Sequence, residues 1–123
     1  MKAAFVETSE FTEWVAEFLP DAVYARLQQE LMDNPDKGTP IPGCGGLRKI
    51  RTADPNRGKG KRGGARVIYL YVPAAKWFFM LDIYGKDEKD DLSAGEKKEL
   101  CKLVDELKQQ AQAATERSKG RKD

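Results

Sequence analysis

The chain has 123 residues, 40% hydrophobic and 34% charged, which suits one modest core and excludes a two-domain enzyme with an interdomain cleft. There is no histidine, so histidine catalysis, Cys/His zinc fingers and three-His metal sites are excluded from this chain alone. The net charge of +2 is the sum of very unlike segments.

Residues 2–6 read as a short strand. Thr8 or Ser9 then serves as the N-cap of an amphipathic helix, with Glu10 in its first turn and Phe11, Trp14, Val15, Phe18 and Leu19 along one face. Pro20 suits the first turn of a second helix striped by Tyr24, Leu27 and Leu31, which Asn34-Pro35 ends. Residues 35–46, with three prolines and four glycines, read as loop. Leu47 to Ala53, Ala65 to Val72 and Lys76 to Tyr84 read as strands, and the last two are apolar enough to be central and covered on both faces. Ser93-Ala94-Gly95-Glu96 is a capping box that opens a last helix striped by Leu100, Leu103, Val104 and Leu107. From about Gln112 the chain is polar and basic, so the domain is expected over 1–111 with a disordered tail over 112–123. The order β-α-α-β-β-β-α predicts an α+β fold with helices packed on an antiparallel sheet.

Residues 1–42 carry three basic and eight acidic side chains, net −5. Residues 43–66 carry eight basic side chains against Asp54 alone, net +7. Such a compact block attracts polyanions, and nucleic acid is the obvious one. The plain alternative is a solvated basic loop. Cys44 and Cys101 are too few for a disulfide framework, and Cys101 reads as a small core residue. The start resembles no signal peptide, and no apolar run reaches the roughly 20 residues of a membrane span. A soluble, cytoplasmic, reduced protein is expected.

Gly58-x-Gly60-x-x-Gly63 matches the dinucleotide fingerprint, yet it leads into a strand and Lys59, Lys61 and Arg62 crowd it with charge. It reads better as a glycine-hinged basic loop that meets phosphates. Arg48, Lys59, Lys61 and Arg62 are accordingly expected to bind nucleic acid. Lys49 and Arg51 alternate with Ile50, so both point to one face, and two strand residues span roughly 6.5–7 Å, close to a phosphate-to-phosphate step. Arg66 heads the neighbouring strand and can join that face. Edge charges that prevent aggregation are the alternative for Lys49 and Arg51. Of the aromatics, Tyr84 stands out at a strand end, and Asp82 is expected to pair with a cation across the sheet.

Gly45 to Arg51, Gly58 to Tyr69 and Ile83-Tyr84-Gly85-Lys86 resemble the HigB branch of the RelE/ParE toxins, over about residues 1 to 108. That resemblance implies a RelE-like fold: two N-terminal helices on a twisted antiparallel sheet, with a C-terminal helix. It implies the toxin of a type II toxin–antitoxin pair, a ribosome-dependent endoribonuclease that cuts mRNA in the A site by 2′-hydroxyl attack. Lys49 and Arg51 fall on the family's basic pair and Arg66 on the arginine of the next strand; Tyr84 and Lys86 complete the implied catalytic set. These cations would orient the phosphate and stabilise its transition-state charge, and Lys49 could shuttle a proton if neighbouring cations depress its pKa. No metal or other cofactor is implied. The implied partners are a HigA-like antitoxin, the ribosome and mRNA, with no membrane. The sequence departs where RelE members carry an arginine after the last strand, a position that reads Asp87, and where they carry a C-terminal tyrosine, near Leu92-Ser93. A ParE-like gyrase-binding module and a degenerate antitoxin-binding homologue are the alternatives.

Overall fold

The computed structural model describes residues 2–52, 64–85 and 91–120, with the side chains of 118–120 left aside. Its elements are β1 (Ala4–Glu7), α1 (Ser9–Phe18), α2 (Asp21–Asp33), β2 (Thr39–Pro40), β3 (Arg48–Thr52), β4 (Ala65–Val72), β5 (Trp77–Gly85) and α3 (Ala94–Gly120). Thr8 starts α1: its Oγ1 accepts the Phe11 N–H at 3.2 Å and donates to the Leu81 carbonyl at 2.8 Å, tying the helix to β5. Pro20 then accepts from the N–H groups of Val23 and Tyr24 and opens α2.

The sheet runs β1-β5-β4-β3-β2. All its neighbours are antiparallel except β1 and β5, which are parallel with Ala4 opposite Trp77. The antiparallel sheet expected from sequence is thus a mixed one. The chain leaves β1 through two helices and can return beside it in the same direction, which a tight hairpin does not allow. The expected loop over 35–46 also contains β2, whose Pro40 is tolerated because that strand is at the sheet edge.

α1 and α2 cover one face, where Phe11, Phe18, Leu27 and Leu31 join Ile50, Val67, Tyr69 and Phe78. α3 covers the other, where Val104, Leu107 and Ala111 join Leu47, Ile68, Leu70, Phe79 and Tyr84. β4 and β5 are accordingly buried on both faces, as their apolar runs predicted.

Two expectations fail. α3 continues to Gly120, so residues 112–120 are helical where a disordered tail was expected. Ala111 is fully buried, and the next turn is held by Gln112 to Glu116 and Thr115 to Ala111 hydrogen bonds, so this stretch needs no large apolar residue. The cysteines, expected to be separate thiols, form a Cys44–Cys101 disulfide with Cα atoms 4.8 Å apart. Gly43, Gly45 and Gly46 have positive φ, and the tight turn they form presses Cys44 towards α3. A Cβ on Gly45 would lie 3.1 Å from Val104 Cγ1, so the loop lies directly on the helix.

Candidate active site

Strand parity decides which charged residues meet. Leu47 belongs to the α3-side core and Ile50 to the other, so Lys49 and Arg51 stand on the α3 face of β3. On β4, Ile68 and Leu70 pack on the α3 side, which puts Arg66 there too. Tyr84 belongs to the same cluster. The register aligns Arg51 with Arg66 and Arg66 with Tyr84. Lys49, Arg51, Arg66 and Tyr84 therefore share one face, at the end of the sheet beside the start of α3.

The four differ in access. Arg51 is exposed, the Lys49 side chain is 23% exposed, Arg66 is 3% exposed and Tyr84 is 2% exposed. The Arg66 Nη1 donates to the Gly64 carbonyl at 3.3 Å. Burial, reinforced by the negative charge of Asp91 against the opposing pull of Arg66, pushes the Tyr84 phenol up to about 12. It is a protonated phenol at neutral pH.

Asp91, which sequence reasoning missed, is a carboxylate of this site. Lys49 Nζ donates to its Oδ1 at 3.3 Å and Lys97 Nζ to its Oδ2 at 3.3 Å. Its partial burial raises the carboxyl pKa, but the Leu92 N–H, Lys97 and Lys49 outweigh that and hold it below the usual value. Its position two residues before the Ser93 capping box was the available signal. Both bonds of that box form, Ser93 N–H to Glu96 and Glu96 N–H to Ser93 Oγ, which fixes the start of α3.

Arg48 lies on the opposite sheet face, where its guanidinium donates to the carbonyls of Asp36 and Gly38 at 3.1 and 2.7 Å and lies 3.6 Å from Asp36 Oδ1. It braces the turn before β2. Tyr69 is also structural: its hydroxyl donates to Pro35 O and accepts the Gly38 N–H. A Cβ at position 38 would sit 2.8 Å from that ring, so only glycine fits. Asp82 accepts the Ile83 N–H at 2.9 Å. Lys59, Lys61, Arg62 and Lys86, with the glycine motif, lie outside the described residues. Among the described residues no cluster of three or more Cys, Asp or Glu is placed to hold a metal ion, and no helix is long and apolar enough to cross a membrane.

A family profile for the RelE toxin of the RelE/RelB toxin–antitoxin system matches residues 23–122. Among solved structures, a double arginine-to-alanine mutant of E. coli toxin RelE in the free state is similar at 16% identity, with a TM-score of 0.49, over 73% of this chain and 90% of that one. The profile spans the three strands and the helix start that carry Lys49, Arg51, Arg66, Tyr84 and Asp91. This chain belongs to the RelE toxin family.

Proposed function

We propose that the chain is a HigB-type toxin that cuts translated mRNA in the ribosomal A site, in the cytoplasm. The observation that carries this reading is the common face of Lys49, Arg51 and Arg66, in a chain without histidine. In the proposed reaction a 2′-hydroxyl attacks the adjacent phosphorus and the bond to the 5′-oxygen breaks. The products are a 2′,3′-cyclic phosphate and a 5′-hydroxyl; one proton leaves the 2′-oxygen and one reaches the 5′-oxygen. Arg51, the exposed cation, meets the phosphate first. Lys49 stands beside it, and together they favour the extra negative charge of the five-coordinate state. Tyr84, with its pKa pushed up to about 12, is no base at neutral pH and supports the site as a neutral phenol. Lys59, Lys61 and Arg62 are proposed to add contacts to RNA, and Lys86 to belong to the catalytic set.

Primer extension on mRNA during translation tests the proposal. Cuts at the A-site codon that require translation are expected. Intact mRNA together with blocked gyrase would give the chain to the gyrase-binding alternative. Intact mRNA and unimpaired gyrase would leave an antitoxin-binding homologue.

A further inference from the structure

α1 and α3 flank an open groove on the side of β5 away from β4. It consists of two adjoining cavities, of about 640 and 270 Å3, that share Glu10, Asp82 and Glu96. The larger is lined by Leu81, Leu100 and Leu103, and the smaller by Trp14 and Tyr84. Among the described residues, the exposed large hydrophobics are Trp14 at 39% and Leu103 at 38%, and each lines one of these cavities. An apolar strip with both of them on it is what an unfilled interface looks like.

We propose that this groove is the docking site for a basic amphipathic helix of the antitoxin. The inference rests on the toxin–antitoxin reading for the partner's identity. The charge of the rim selects the chemistry: Glu10 on α1 faces Glu96 and Glu99 on α3 across the apolar floor. Lys102 lies 3.8 Å from Glu99, but both side chains are well exposed and such a contact is weak in water. A helix that seats Leu- or Ile-type side chains on Leu100, Leu103 and Trp14 can turn Lys or Arg to both walls. An added strand fits worse. Along this groove the Met80 carbonyl holds the Thr8 N–H, the Leu81 carbonyl holds the Thr8 hydroxyl, and the Ile83 N–H is bonded to Asp82. A second copy of this chain also fits worse, because it would bring its own Glu10, Glu96 and Glu99 against the same acidic rim, while Phe11, Phe18, Leu27 and Leu31 of its first two helices lie in its own core. The antitoxin surface is thereby distinct from the cationic face, although Tyr84 touches both.

The test is calorimetric titration of the full chain with the purified antitoxin encoded beside it. Two surface variants are compared with the unaltered chain, Leu103→Asp and the double change Glu10→Lys with Glu99→Lys. Each is expected to raise Kd at least tenfold, with unchanged thermal melting and unchanged mRNA cleavage. Unaltered affinity in both variants would overturn the groove and leave the functional reading standing. No binding by the unaltered chain would overturn the groove and the antitoxin partnership together, while mRNA cleavage reports separately on the activity. Self-association of the isolated chain that Leu103→Asp abolishes would give the groove to a second copy.

Discussion

Lys49 in the middle of β3 and Asp91 on the approach to α3, 42 positions apart in the chain, meet at 3.3 Å. The pair makes the start of α3 part of the cationic face. The contact holds the Lys49 ammonium in place beside Arg51, an anchor that the cations alone did not reveal. Asp91 also holds Lys97, so one carboxylate positions two ammonium groups.

Replacing Asp91 by Asn should therefore misplace Lys49 without removing it. A loss of about 10- to 100-fold in single-turnover cleavage is expected, since small misplacements of positioned groups have effects of that order. A second readout is stability against pH. The carboxyl pKa is lower in the folded chain than the ordinary 3.8, so its contribution is present above that pH and is lost as pH falls through the folded value. Melting curves of Asp91→Asn should show a weaker decline on the acid side.

Arg51→Ala should leave folding intact, because the side chain is exposed. Cleavage should fall by about 100- to 1000-fold, the usual effect of losing one charge-stabilising contact, or about 2.7–4 kcal/mol. Circular dichroism beside a cleavage assay on translating ribosomes checks both halves.

Arg66 is different. It is 3% exposed and hydrogen-bonded to the Gly64 carbonyl. Arg66→Ala should lower stability by about 1–3 kcal/mol and also abolish cleavage. Arg66→Lys should recover most of the stability and little of the activity, because an ammonium cannot reproduce the planar fork. Full activity in a folded Arg66→Ala protein would remove this residue from the site.

Three tyrosines bring a loss of stability at high pH. Burial raises the phenol pKa values of Tyr24, Tyr69 and Tyr84 above the ordinary 10, that of Tyr84 to about 12. A raised folded pKa gives stability that is fully present below pH 10 and is lost as pH rises through the folded value. Thermal melting should fall between pH 10 and 12, and the fall should be shallower in Tyr84→Phe.

The Cys44–Cys101 bond closes a loop with a sequence separation of 57 residues. Chain-entropy reasoning gives it up to about 4 kcal/mol. Reduction, or the double change Cys44→Ala with Cys101→Ala, should lower the melting temperature by roughly 10–20 °C at that full value. An unchanged melting temperature under reducing conditions would show that the cross-link adds nothing to the packing of the loop on α3.

The strong periodicities were legible in the sequence. β4 was read at its observed ends because its apolar run is bounded by glycines and a proline, and the α3 start because a capping box is a local signal. The site was legible on β3 and β4, where alternation alone puts Lys49 and Arg51 on one face. Long-range facts were not. Nothing local says that β1 runs parallel to β5, that Arg48 turns to brace residues 36–38, or that Cys44 meets Cys101. Asp91 stands before a legible capping box, but its pairing with Lys49 exists only once α3 is docked.

The order of the sheet sets when the protein can become active. Among the described strands β1 comes first in the chain, and its partner β5 comes last. The cationic face likewise needs β3, β4, β5 and the residue before α3. No early portion of the chain contains a finished site or a closed sheet, and pairings so distant in sequence form slowly. A growing chain thus has no assembled cationic face until β5 and the approach to α3 have been made. That interval, built into the topology, is time in which an antitoxin made alongside can already be waiting.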